Sequence, residues 1–313
     1  MSKRKHGILG LTLQVASFVA LLAAFATCTL EGDIKTVREK IEGSGGSGGG
    51  ESPPVIVPGS SVYPKLLWLE SNAQSGGNYI IEASFNESIG PWTLSYSGKS
   101  NITITLKGVG ANRIISISSA GSLFTIGSGV ILILDNNITL QGWSNVNNSL
   151  VTINSGGTMV MNTGSAVTGN TVGTSGGGVY MFSNSTFLMN GGTISGNTAG
   201  YNGGGVFVGG GTFTMNGGTI SGNTASNNGG GVYVQGIFTK AGGTIYGYSA
   251  SDTVNSNVVK NSSGTVQSNS GHAVYAYISS STNKRKETTA GSSVNLSFAY
   301  NGSNTSFSGG WDY

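Results

Sequence analysis

The sequence predicts an all-β solenoid, in which short strands and turns stack as similar coils behind an export segment and a flexible linker. Three observations carry this. A Gly-Gly-Gly-Val-aromatic unit begins at Gly176, Gly203 and Gly229, so it recurs every 26 or 27 residues. Within each period, apolar and polar residues alternate in several short runs divided by Gly and Asn, the pattern of half-buried strands. No Pro follows Pro91, as expected of strands laddered on both sides. Strand and turn repeating at a fixed period read as one coil of a solenoid.

The first element is the export segment, residues 1–27. Lys3-Arg4-Lys5 precedes an apolar stretch from Ile8 to Phe25, interrupted only by Thr12, Gln14 and Ser17, and small residues follow. This is the layout of a secretory signal peptide. The lone Cys, Cys28, stands at its end. The segment resembles a bacterial lipoprotein signal, which makes Cys28 the expected lipid-attachment residue. It departs from the usual pattern at Phe25 and Thr27. Ala24-Phe25-Ala26 also fits cleavage to a soluble secreted chain, and an uncleaved anchor is the third route. Lipidation is the favoured expectation because the rest of the chain has no Cys. Loss of the segment leaves 12 basic residues against 12 acidic ones, so the formal charge of +3 belongs to the signal. Nucleic acid is therefore not an expected partner.

Residues 28–64 read as a tether. Glu31 to Glu42 is charged, with Ile34, Val37 and Ile41 at helical spacing. A Gly/Ser run from Gly43 to Gly50 follows, and then Pro53, Pro54, Pro58 and Pro64.

The repeat domain is placed at 65–313. Three elements recur in step: Val179-Tyr180-Met181 with its copies at Val206 and Val232, Phe187-Leu188-Met189-Asn190 with Phe213 to Asn216, and Gly192 to Thr198 with Gly218 to Thr224. Alternation places Val179, Met181, Val206, Val208, Val232 and Val234 inward, with Phe187, Phe213, Met189, Met215, Ile194, Ile220 and Ile245. Two Asn sets fall at corners: Asn162, Asn190 and Asn216, and Asn170, Asn197 and Asn223. Asn tolerates left-handed turns, and stacked amides can pair along a ladder. Ile102 to Leu106, Val130 to Leu134 and Val294 to Tyr300 fit the same plan. At 24–26 residues per coil, roughly nine coils are expected, a rod of about 40–45 Å at the usual strand spacing. Lys240 takes the place of Met189 and Met215, which predicts a register shift or a frayed edge there.

These elements resemble the repeat of the chlamydial polymorphic outer-membrane proteins: Gly-Gly-Gly-Val approximates one of its short motifs, and Phe187…Asn190 and Phe213…Asn216 match Phe-x-x-Asn. The whole-chain plan, with its signal, Cys, Gly/Ser linker, repeats and Gly309 to Asp312 terminus, is similar to spirochaete repeat lipoproteins. The resemblance implies a right-handed parallel β-helix of the pectin-lyase type and an adhesin-like protein at the bacterial outer membrane or cell surface. Secretion is the alternative location. The membrane barrel of the chlamydial proteins is not expected after Tyr313, nor is autotransport.

Composition argues against catalysis. Only 9% of residues are charged, against about a quarter in ordinary globular domains. From Asn136 to Thr239 there is no Asp, Glu, Lys, Arg or His, so the best-formed coils hold no acid–base pair and no carboxylate for Ca²⁺. Outside that span, Glu82, Glu87, Asp135, Asp252 and Lys260 are scattered. His272 takes a Gly position of the last repeat copy and reads as a surface turn residue. No catalytic residue, metal or cofactor is expected.

The candidate binding feature is aromatic. Tyr180, Phe207, Tyr233 and Tyr275 occupy the outward position between inward apolar residues, and in register they make an exposed stripe about 5 Å apart. Exposed aromatic arrays bind glycans or protein partners, whereas the same rings can serve cross-strand packing alone. Outward Thr and Ser rows (Thr193, Thr219; Ser195, Ser221) raise ice binding, weakly, since only two good copies exist. The expected function is a lipid-anchored, non-catalytic surface protein whose partners are the membrane and a glycan or surface protein. The alternatives are a secreted carbohydrate-active enzyme of the pectin-lyase type and a structural spacer.

Overall fold

The computed structural model describes residues 53–144, 147–277, 283–291, 294–296, 305–307 and 312. Apart from Pro53 they belong to one compact unit, Pro54–Tyr313. Residues 1–52, with Cys28 and the Gly/Ser linker, lie outside the described residues.

The unit is nearly all β, with parallel strands stacked as a β-solenoid of about seven turns. Its described strands form four sheets, of ten, eight, seven and four strands. One coil shows the rule. Thr186–Met189 enters the ten-stranded sheet, Thr193–Ser195 the seven-stranded, Thr198–Ala199 the four-stranded and Val206–Val208 the eight-stranded. The next coil lies on it in parallel, with Thr186 opposite Thr212, Thr193 opposite Thr219, Thr198 opposite Thr224 and Val206 opposite Val232.

Because each residue sits on its own copy, the inward side chains stack like on like. All thirteen residues placed inward by alternation have no solvent exposure. Phe213 lies between Phe187 and Phe238, with ring centroids 4.6 and 5.0 Å apart. Truncating such a buried ring to Ala costs about 3–5 kcal/mol.

Both Asn sets form ladders. In the outer one, Asn190 Nδ2 donates to Asn162 Oδ1 at 3.3 Å and Asn216 Nδ2 to Asn190 Oδ1 at 3.1 Å. The inner one is fully buried: Asn197 Nδ2 donates to Asn223 Oδ1 at 3.1 Å, and Asn223 Nδ2 to Asn257 Oδ1 at 2.9 Å. None of these Asn residues is left-handed, contrary to the turn geometry anticipated for them. In the inner ladder the preceding Gly196 (φ 65°) and Gly222 (φ 63°) take the positive φ, which frees the amide to serve as a hydrogen-bonding rung.

The turn count is about seven, below the nine expected, because both ends depart from the repeat. At the start, residues within the stretch read as tether are ordered. Val55–Ile56 pairs with Tyr79 and Ile80, and α1 (Val62–Asn72) buries Val62, Leu66 and Leu69. At the far end one coil is enlarged: Asn223 reaches Asn257 across 34 residues, and Val232 pairs with Val274. After that the chain turns back. Lys284–Lys286 runs antiparallel to Val274–Ala276, and Val294–Leu296 antiparallel to Phe238–Lys240. The strand at Val294 is thus an antiparallel return, itself paired antiparallel with Thr305–Phe307, and not a further coil.

Candidate functional site

Tyr180, Phe207, Tyr233 and Tyr275 are brought into one column by strand register. Successive ring centroids are 4.8, 5.3 and 5.4 Å apart, with interplanar angles of 18°, 4° and 7°. The column stands outside the main core as its own cluster. The expected exposure is not found: Phe207, Tyr233 and Tyr275 are 7%, 4% and 6% exposed. Stacking at van der Waals spacing covers both faces of each inner ring. The last ring is covered too, by the Arg285 guanidinium 5.6 Å above Tyr275, and Asn283 Nδ2 donates to the Tyr275 hydroxyl at 2.8 Å. Burial, followed by Tyr275, pushes the Tyr233 phenol up to about 12.

Only the other end is open. Tyr180 is half-buried and meets Phe182 at 4.9 Å, and Phe182 is 47% exposed. Tyr201, 56% exposed, is a further solvent-facing ring on these coils, as are Trp143 and Tyr248. Phe182 and Tyr201 lie between the repeating elements, so alternation along a strand could not single them out.

Two residues read as local irregularities are buried at the last coil. Lys240 keeps register opposite Met215 and is 1% exposed, so the expected shift or fraying does not occur. Its Nζ donates to Gly243 O at 2.7 Å, and burial lowers its pKa. His272 is 4% exposed and is not a surface turn residue. Its Nδ1 accepts from Val259 N at 2.9 Å. Its Nε2 lies 3.5 Å from Glu287 Oε2, whose carboxylate accepts from Gly271 N at 2.6 Å and His272 N at 3.1 Å.

The scattered carboxylates are each engaged in holding backbone or neighbouring coils together. Glu82 pairs with Lys107 at 3.3 Å. Asp135 accepts from Asn162 Nδ2 at 3.3 Å, and Asp252 accepts from Asn255 Nδ2 at 3.1 and 3.0 Å. Asp312 accepts from Lys286 Nζ, Glu287 N and Thr288 N at 3.0, 2.8 and 3.0 Å. Among the described residues, no three of His, Cys, Asp and Glu gather as a metal site. Lys260 N donates to Ala225 O, continuing the ladder of the four-stranded sheet.

Sequence reasoning also missed a groove at the first coil. About 490 Å³ in volume, it lies between the start of α1 and the loop after Ala83, lined by Ser60, Ser61, Tyr63, Phe85, Asn86 and Glu87 among others. Glu87 closes it from below by accepting Val62 N with both oxygens, at 2.8 and 2.9 Å. No family model, curated protein or solved structure matches the chain.

Proposed function

We propose that the chain is a non-catalytic binding protein displayed on a bacterial surface, adhesin-like, with Cys28 as its lipid anchor and a glycan or surface protein as its ligand. The reading rests on one observation above others: a column of four stacked aromatic rings that ends in solvent at Tyr180 and Phe182. Stacked inner rings fix the position of the outer pair, so an apolar or carbohydrate face meets a surface that loses little side-chain entropy on contact. The resemblance of the N-terminal segment to a lipoprotein signal supplies the anchoring half of the proposal, and the spirochaete-like plan of signal, Cys, linker and repeats supports surface display.

Glycan and surface-protein arrays test the ligand half. A Phe182→Ser chain keeps the buried rings intact, so its thermal midpoint should stay near that of the unchanged chain while the strongest array signal falls at least about tenfold, or ~1.4 kcal/mol. An unchanged signal sinks the rim as the binding surface. Incorporation of labelled palmitate, abolished by Cys28→Ser, tests the anchor; labelling that survives the substitution refutes it.

A further inference from the structure

The groove at the first coil has a chemistry of its own. Tyr63 and Phe85 are 48% and 47% exposed, in a protein whose repeat-coil rings are mostly stacked and covered. Tyr63 projects from the first turn of α1, and its ring is held edge-on to Trp92, centroids 5.6 Å apart and planes at 89°. Phe85, from the loop after Ala83, lines the groove as well.

The polar groups between them are held in place and left open. Ser61 is the N-cap residue of α1, with extended backbone (φ −144°, ψ 172°), yet its side chain makes no capping bond. A serine there ordinarily accepts from an N–H of the first turn. Here Glu87, from 25 residues away, takes the Val62 N–H with both carboxylate oxygens, and Ser61 lines the groove. Asn86 is fixed through one end only: its Oδ1 accepts from Ile114 N at 3.0 Å, which leaves its Nδ2 as an oriented donor. Glu87 itself is spent on the helix start, where its charge offsets the positive end of the helix dipole. The groove therefore presents two aromatic surfaces, an amide donor and a hydroxyl, beside a carboxylate that disfavours anions.

We propose that this groove binds a neutral pyranose unit of a glycan. A pyranose ring has an apolar C–H face that lies on an aromatic ring and equatorial hydroxyls that take a donor and a hydroxyl at its edge. Uronic acids and sialylated sugars are disfavoured by Glu87. The proposal goes beyond the rim reading and uses different residues, so either can fail alone.

The test titrates the full chain with neutral oligosaccharides built on mannose, glucose or galactose, and with their uronate or sialylated counterparts, following tryptophan fluorescence and heat. The expected result is saturable binding of at least one neutral sugar, weakened at least about tenfold by Tyr63→Ala and by Asn86→Ala and unaffected by Phe182→Ser. Both groove residues are exposed and each loses one contact, Asn86 its bond to Ile114 N and Tyr63 its packing on Trp92, so the thermal midpoint of either variant should fall only slightly, far less than the binding does. Absence of binding to every neutral sugar, a preference for the anionic counterparts, or binding indifferent to both groove substitutions overturns the proposal.

Discussion

At the scale of single residues, His272 shows how one side chain ends a repeating structure. In the coils before it, Gly177, Gly204 and Gly230 hold the same position. A Cβ on Gly204 would run into the carbonyl oxygens of Gly230 and Thr224, and one on Gly230 into that of His272. His272 has only an antiparallel segment beyond it, so a side chain is tolerated, and it folds over the end of the four-stranded sheet to accept Val259 N–H. That bond needs an unprotonated Nδ1. Burial lowers the His272 pKa below its usual 6.5, with Glu287 opposing in part. The folded state thus binds fewer protons than the unfolded one, and stability falls as pH drops from about 6.5 toward the lower folded value. Among the described residues, the charged group beside the ring is Glu287, with Tyr248 at 5.3 Å as an uncharged neighbour. The thermal midpoint should decline between pH 7.5 and pH 5, and His272→Asn, which keeps an acceptor for Val259, should flatten that decline. Equal slopes in both chains would remove His272 as the cause. His6 is the other His of the sequence and lies outside the described residues, so among those His272 is the one imidazole that titrates.

At the scale of elements, the same Gly row explains why the Gly-Gly-Gly triplets are confined to the middle coils. The strand carrying each triplet turns where its neighbour's carbonyls approach within the space of a side chain. Gly204→Ala should therefore destabilise by about 3 kcal/mol, the upper end for overpacking, read as a shift in urea midpoint at constant slope. Residue 272 offers the internal control: His272→Ala should cost less than Gly204→Ala although it removes a hydrogen bond, because no parallel coil stacks beyond it. The buried Asn ladder is limited in the same way. It runs from Asn170 through Asn197 and Asn223 to Asn257. It stops at Asn170, whose Oδ1 has no donor, because the coil before it places Gly142 against Asn170. Elements built from copies were legible in the sequence for this reason. Where Val-aromatic-Val or Phe-x-x-Asn sits on its own copy, spacing and alternation give register and inward face directly. Elements used once were not legible. Nothing near Glu87 signals that it caps a helix 25 residues earlier, and nothing near Lys240 signals that it stays buried.

At the scale of the whole solenoid, alternation told which rings leave the core but not what covers them afterwards. Three of the four candidate rings are covered by one another and by Arg285, and the groove at Tyr63 and Phe85 arises only where α1 meets the first coil. Ends dominate the behaviour of such a molecule, because a parallel stack leaves unpaired N–H and C=O groups at each end that can template another chain. This protein closes its far end with two antiparallel returns, Lys284–Lys286 on the eight-stranded sheet and Val294–Leu296 on the ten-stranded one. The first of these carries three cations, of which Lys286 is tied to Asp312. An outermost strand this rich in cations opposes pairing with a second copy, even with Lys286 held by Asp312. Removing residues 283–313 would strip both returns, uncover Tyr275 and expose the edges of Val274–Ala276 and Ile237–Lys240. The truncated chain should keep its parallel core, seen as an unchanged β-sheet circular dichroism spectrum, and should self-associate where the full chain does not. Light scattering across a concentration series measures the difference. A truncated chain that stays as monodisperse as the full one would show that the returns are ordinary packing and that the solenoid needs no barrier at that end.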